Sequence, residues 1–102
     1  MLNSEEVLRS TLQRLEPSKD FKVSLARLLY ERAERNLRKY RIMDRNFQKK
    51  YAMSFEEFLN SDIVKKTDFE TEQDYCDWEM AITGIEEAKE EIEKLKSFLK
   101  LS

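Results

Sequence analysis

Apolar residues recur every three or four positions along two long stretches of the chain, with polar residues between them. The first stretch, 20–51, places its apolar residues within a stripe about 100° wide on a helical projection. These residues are Ala26, Leu29, Ala33, Leu37, Tyr40, Phe47 and Tyr51. The second stretch, 71–100, alternates spacings of three and four, which is typical of a coiled-coil seam. Its residues are Trp78, Ala81, Ile85, Ala88, Ile92, Leu95 and Leu99. The pattern predicts two helices of roughly 45 Å each.

Two shorter helices are predicted on either side of the first long one. In 1–17, Leu8, Leu12 and Leu15 share one helical face, and Pro17 ends that helix. In 54–62, the spacing Ser54-x-x-Glu57 is that of a capping box, which predicts a short helix with a new direction. Residues 62–70 show no clear period and are interpreted as a connector.

These elements predict an all-α fold in one domain, 1–102, built as a long antiparallel helical hairpin. Charge favours the pairing, because residues 19–51 carry 11 basic and 4 acidic groups while residues 54–94 carry 4 basic and 14 acidic groups. Gly84 predicts either a tight helix crossing or a small bend. An aromatic core is expected to hold the short helix against the hairpin. Its predicted members are Phe47, Tyr51, Phe55, Phe58, Phe69, Tyr75 and Trp78.

The amino-acid composition excludes most kinds of catalytic site. The chain of 102 residues has no His, one Cys, one Gly and one Pro. Without His, imidazole-based catalysis and imidazole metal sites are absent, and a single Cys76 forms neither an internal disulfide nor a thiolate cluster. No stretch has the length of a membrane span, and the N-terminus lacks signal-peptide features. We therefore expect a cytoplasmic, non-enzymatic protein with no cofactor and no metal.

A two-helix hairpin leaves apolar side chains uncovered, which points to association with another protein chain. The candidate interface residues lie off the main stripes, or at the head of the second one in the case of Trp78. They are Leu28, Ile42, Trp78, Met80, Phe98 and Leu101. Self-association would give a four-helix bundle. In the monomeric alternative the N-terminal helix folds back over some of these residues. Trp78 is expected to be a core residue unless the seam itself is an interface, in which case it is the leading hot-spot candidate.

Two charged patterns are candidate functional sites. A basic stripe opposite the apolar face matches a nucleic-acid surface, although the net charge of −2 and the lack of a binding motif favour a solvated face answered by the acidic half of the chain. The stripe consists of Arg27, Arg35, Arg38, Arg45 and Lys49. The acidic run 86–91 resembles part of a Mg²⁺-binding motif of helical pyrophosphohydrolases, but no second acidic element follows it, and helical i,i+4 charge pairs account for it.

One segment resembles a known group of proteins. The stretch 39–58, KYRIMDRNFQKKYAMSFEEF, followed by DYCDWE at 74–79, is similar to small all-helical prokaryotic proteins encoded beside toxin genes. These proteins are taken to be the antitoxin half of toxin–antitoxin pairs. The similarity covers about residues 25–99 and is most specific in the Y-x-M-S-F-E-E-F core.

The resemblance implies a binding role with a toxin-like partner and supplies no catalytic residues. One position departs from the group, which usually has Gly where this chain has Ala52. Because a helix C-terminus there favours a left-handed residue, Ala52 either accepts strain of about 1 kcal/mol or changes how the helix ends. No separate DNA-binding module is recognisable in the sequence.

Overall fold

The computed structural model describes residues 3–15 and 20–100, and within these ranges every regular element is helical. The four α-helices are α1 (Ser4–Leu15), α2 (Phe21–Tyr51), α3 (Phe55–Leu59) and α4 (Phe69–Lys100). A 3₁₀ turn, Asp62–Lys65, lies between α3 and α4. The predicted all-α helical hairpin is confirmed, since α2 and α4 pack against each other along their length. In the described ranges no helix has the length and apolarity needed to cross a membrane.

The register of the hairpin is antiparallel, because facing residue numbers rise along α2 as they fall along α4. The facing pairs are Leu29 with Leu95, Tyr40 with Gly84, Asp44 with Trp78 and Tyr51 with Asp74. The end at which α2 leads into α3 is hereafter the closed end, and the opposite end is the open end.

Small residues line the seam between the two long helices. Ala26, Ala33, Ala81 and Ala88 are all buried there. A Cβ atom placed on Gly84 would lie 2.5 Å from the ring of Tyr40, so this glycine marks a tight crossing, the first of the two predicted alternatives. These small residues let the two helix backbones approach closely.

Leu29 shows the effect of this close approach. The sequence pattern placed it in the buried stripe, but it is 49% exposed. Ala26 and Ala33 occupy the space nearest α4, and Leu29 lies at the border of the contact. The prediction that Leu29 is buried is therefore wrong.

An aromatic cluster fills the closed end around Trp78, which is fully buried together with Phe58. The rings that contact Trp78 belong to Phe47, Tyr51, Phe55 and Phe58, with centroids 5.1–5.8 Å from its own. The indole Nε1 of Trp78 donates a hydrogen bond of 2.8 Å to Asp44. Tyr75 joins the cluster through Phe55, at a centroid distance of 6.2 Å. The expected aromatic core is present.

Phe69 is the exception to the predicted cluster, since it is 80% exposed. It precedes Trp78 by nine residues on the same helix, and at 100° per residue this spacing places it on the opposite face of α4. Its assignment to the aromatic core is therefore wrong.

The turns at the closed end are formed by specific caps. Ala52 ends α2 with φ 55° and ψ 37°, so it adopts the left-handed conformation in spite of its side chain. The capping box of α3 is present: the Glu57 amide donates to Ser54 Oγ at 3.2 Å, and the Ser54 amide donates to Glu57 Oε1 at 3.0 Å. The hydrogen bond from the Ser54 amide to the Glu57 carboxylate is the main cause that lowers the pKa of Glu57.

Helix α4 begins at Phe69, two residues before the predicted start at Thr71. The Asp68 carboxylate accepts a hydrogen bond of 2.7 Å from the Thr71 amide, which makes Asp68 the capping side chain. The same hydrogen bond lowers the pKa of Asp68. Thr71 lies in the first turn and is buried.

Helix α1 packs on the beginning of α2. The guanidinium of Arg9 lies 4.2 Å from the ring centroid of Phe21, and Leu12 is half-buried. Leu8 and Leu15, however, remain 69% and 68% exposed. The N-terminal helix therefore covers only part of the apolar surface that the hairpin leaves open.

The molecule is a flat layer of 59 × 33 × 16 Å with a radius of gyration of 19.4 Å. A compact chain of this length has a radius of gyration of about 13 Å. The α2–α4 layer therefore has two broad faces and little depth.

Candidate protein-interaction surface

The predicted interface residues separate into exposed and buried ones. Ile42, Met80 and Phe98 are exposed at 52%, 49% and 40% of their surface. Trp78 is fully buried within the chain, so its alternative assignment as a core residue is the correct one and its assignment to an interface is withdrawn. Leu101 lies outside the described residues.

Leu28 is half-buried. It follows Phe21 and Ser24 by seven and four residues, which places all three on one face of α2. Phe21 contacts α1, and Ser24 is buried. Leu28 thus lies on the side of α2 nearest α1, and little of its side-chain surface is available to another chain.

An apolar groove lies between α2 and α4 on one broad face of the hairpin, near the open end. Two adjoining depressions of about 360 and 270 Å³ share Leu29 and Leu95. We call this surface the flank groove. Its apolar residues are Leu25, Ala26, Leu29, Ala33, Leu95 and Phe98.

The flank groove continues onto α1. A third depression of about 340 Å³ is lined by Leu8, Leu12, Phe21 and Leu25, and Leu25 also belongs to the flank groove. The apolar surface therefore extends across three helices. Sequence reasoning missed Leu25, although the adjacent pairs Leu25-Ala26 and Leu28-Leu29 already show an apolar stripe wider than one seam.

Charged side chains border the flank groove. Lys22 and Arg32 lie on the α2 side, and Glu91 and Lys94 lie on the α4 side. All four are exposed. An apolar floor with a charged rim is the usual anatomy of a protein–protein contact.

A second surface lies on the outer face of α2. Ile42, Arg45, Asn46 and Lys49 line a shallow depression of about 220 Å³. Arg35 and Arg38 precede Ile42 by seven and four residues, which places them on the same face. We call this surface the Ile42 face. Its charged members are Arg35, Arg38, Arg45 and Lys49.

The cations of the Ile42 face have no carboxylate within 4 Å in the described part of the chain. The ion pairs of the described residues are Arg9–Glu5, Lys50–Glu70, Lys50–Asp74 and Lys65–Asp62, and none of them involves the Ile42 face. Among these ion pairs of the described residues, only those of Lys50 link the basic helix α2 to the acidic helix α4. We expected acidic side chains of the same chain to pair with the basic stripe, and at these positions they do not.

Lys50 belongs to a polar network that closes the hairpin beside the aromatic cluster. Its ammonium lies 2.5 Å from Asp74 and 2.7 Å from Glu70, and hydrogen bonding to Asp74 is the main cause that raises the pKa of Lys50. Tyr51 donates to the same Asp74 carboxylate at 2.5 Å. Burial, reinforced by this hydrogen bond, raises the pKa of Tyr51 to about 12. This network is structural, since it joins α2 to α4.

Among the described residues no group of three or more His, Cys, Asp or Glu side chains is placed to hold a metal ion. Cys76 is exposed, beside a depression of about 370 Å³ that is also lined by Val64, Glu72 and Tyr75.

Comparisons of the chain with protein-family models, with curated proteins and with solved structures found no match. No residue role is therefore transferred from a relative. The flank groove and the Ile42 face are the two features of the structure that bear on function.

Proposed function

We propose that this protein is a cytoplasmic, non-enzymatic interaction module that binds a partner protein through the Ile42 face of its helical hairpin. The observation that carries the proposal is the position of Ile42, which is half exposed among four cations that have no ion-pair partner within the described residues. The occupant that matches this surface is a protein with an acidic patch around an apolar side chain.

The isoleucine favours a protein over a nucleic acid as the occupant. A phosphate backbone offers charge to cationic side chains but nothing to a solvent-exposed aliphatic group. A protein interface, in contrast, combines an apolar centre with a charged rim that directs association. Ile42 beside Arg45 and Lys49 has this arrangement.

The biological role we propose for this binding is that of an antitoxin that neutralises a toxin-like partner. Support comes from the resemblance of residues 39–58 to antitoxin-like proteins, because Ile42 and Arg45 lie within that stretch. Ala52 adopts the left-handed conformation at the position where the group usually has Gly, so the departure in sequence leaves that turn in place.

The experiment is co-purification of the chain with the product of the adjacent gene, followed by titration calorimetry. Ile42→Glu should weaken binding by at least about tenfold, because it removes the apolar contact and adds a charge that repels an acidic partner. Leu59→Glu is the control, since Leu59 is similarly exposed on α3, away from the Ile42 face.

Failure of the chain to bind the adjacent gene product would remove the antitoxin role. Equal losses from Ile42→Glu and Leu59→Glu would remove the Ile42 face as the site. Binding of DNA or RNA that weakens as salt is added, without binding of the protein partner, would favour the nucleic-acid alternative.

A homo-oligomeric bundle with a purely structural role is the alternative function. The exposed apolar residues of the flank groove favour it, because they need a cover that the described chain does not supply. Binding of the adjacent gene product to the Ile42 face would contradict a purely structural role.

A further inference from the structure

We infer that the flank groove is covered by a second copy of this chain, and that the two-fold axis of the dimer runs parallel to the long helices. Each α2 then lies over the α4 of the other copy, which produces a four-helix bundle. This dimer uses the broad face of the hairpin, leaves the Ile42 face open, and does not depend on the function proposed for that face.

The exposed area of the chain is large enough to accommodate a dimer interface. A compact protein of the same mass exposes about 6,100 Å², whereas this chain exposes 7885 Å². The excess of roughly 1,800 Å² is about twice the area that each partner loses in a standard interface. A standard interface on one broad face would therefore remove about half of this excess.

The groove is also complementary to itself. Leu25, Leu29 and Phe98 are exposed at 40–49% and lie at one end of the layer, on the same face. An axis parallel to the long helices keeps every residue level with its equivalent in the other copy. The two grooves therefore meet, and each covers the other.

Charge selects this axis over the alternative that runs across the helices. Helix α2 carries ten basic and three acidic residues, and α4 carries four basic and ten acidic residues. An axis across the helices would lay α2 on α2 and α4 on α4, which brings like charges together. An axis parallel to the helices lays each basic helix on an acidic one, and every pair of neighbouring helices is antiparallel, as in up-down bundles.

Charged residues at the rim of the groove contribute to this charge complementarity. Arg32 and Glu91 lie on opposite sides of the same depression, at the same level of the hairpin. Stacking α2 over the second α4 brings Arg32 of one copy toward Glu91 of the other. The contact occurs twice because of the symmetry.

Sedimentation equilibrium at several concentrations tests the dimer. We expect the wild-type chain to have twice the chain mass. Leu29→Glu should raise the dimer dissociation constant at least about 100-fold, because the charge enters the apolar contact twice per dimer. Leu59→Glu is the matched control and should leave the constant within about threefold, since a lone exposed leucine away from the groove contributes little. A wild-type monomer at every concentration would overturn the proposal.

Cross-linking tests the orientation without a charge in the groove. In a Cys76→Ser background, one chain carries Leu25→Cys and another carries Phe98→Cys, and a short bismaleimide reagent joins thiols that lie close together. Leu25 and Phe98 line one depression of the hairpin, so the proposed axis places Leu25 of one copy over Phe98 of the other. Because each chain has a single cysteine, only contacts between copies can be joined.

The mixture of the two single-cysteine chains should give a covalent dimer in several-fold greater yield than either chain alone. A greater yield from the Leu25→Cys chain alone would place α2 on α2 and overturn the proposed axis. Loss of the wild-type dimer mass in the Leu29→Glu variant with retained helicity supports the groove as the interface, and equal loss in the Leu59→Glu variant contradicts it.

Discussion

Gly84 faces the ring of Tyr40 so closely that a methyl group at this position would overlap it. In an ordinary helix, replacing glycine with alanine stabilises by about 1 kcal/mol. At Gly84 the added Cβ must push the Tyr40 ring or the whole helix away. The position therefore reverses the usual preference for alanine.

Gly84→Ala should lower the free energy of unfolding by about 1–3 kcal/mol, the usual cost of overpacking. Urea denaturation followed by circular dichroism measures the change. Thr83→Ala, at the exposed neighbouring position on α4, is the control and should change stability little. If Tyr40→Ala does not reduce the cost of Gly84→Ala, overlap with the ring is not its cause.

Ala52 gives the opposite prediction. Its left-handed conformation costs about 1 kcal/mol relative to glycine, so Ala52→Gly should raise the free energy of unfolding by about that amount. Thermal and urea denaturation should both show an increase in stability. A decrease in stability would mean that the loss of the alanine side chain outweighs the relief of strain.

At the scale of elements, the boundaries of α3 and α4 are fixed by carboxylates that accept backbone hydrogen bonds. Glu57 and Asp68 have lowered pKa values for this reason. A lowered pKa in the folded state means that folding favours the ionised form. The resulting stabilisation is complete above the ordinary carboxyl range near pH 4 and is lost as the pH falls through the lowered values.

Asp68→Asn should therefore reduce the melting temperature most at neutral pH, and its difference from the wild type should shrink as the pH falls from about 6 to 2. Asparagine still caps a helix but does not ionise, which isolates the charge. Asp62→Asn is the control, because Asp62 accepts no backbone hydrogen bond in the described chain. A difference that is constant with pH would show that Asp68 ionisation does not stabilise the fold.

Periodicity and capping rules predicted which helices form, because they depend on residues close in sequence. The box of Ser54 and Glu57 is an example, since both hydrogen bonds join residues three apart. The same rules misplaced the start of α4, because Asp68 and Thr71 both have capping side chains and the sequence alone did not rank them. Local pattern thus predicts that a helix exists more securely than where it begins.

The candidate surface was less predictable from sequence, because exposure depends on how closely two helices approach. Leu29 shares the helical face of Ala26 and Ala33, yet it is exposed because these alanines occupy the contact. Ile42, Met80 and Phe98 were found because they lie off the stripes. Leu25 was missed because its exposure depends on the distance between α2 and α4, which the pattern does not contain.

At the scale of the whole molecule, folding depends on a thin core in which few residues are fully buried. Ile92 is the only large aliphatic side chain among the buried residues of the described chain, and it lies on α4 between the aromatic cluster and the open end. Loss of one such residue therefore affects a large share of the interior.

Ile92→Asp should lower the free energy of unfolding by about 3 kcal/mol or more, because it places an unpaired charge in the seam. Ile42→Asp makes the same chemical change at an exposed isoleucine of α2 and should change the stability of the folded chain by less than about 1 kcal/mol. Thermal denaturation at matched concentrations measures both. Similar melting temperatures for the two variants would contradict the assignment of Ile92 to the core.

The aromatic cluster, the Lys50–Asp74 ion pair and the caps of α3 and α4 all lie at the closed end. Toward Phe21, the buried apolar residues of the two long helices are mostly small: Ala26, Ala33 and Ala88, with Ile92 as the one larger side chain among the described residues. Local opening should therefore start there and rarely reach Phe47. Backbone amides of α2 should then exchange with deuterium at rates that fall along the helix, within minutes near Phe21 and over hours near Phe47.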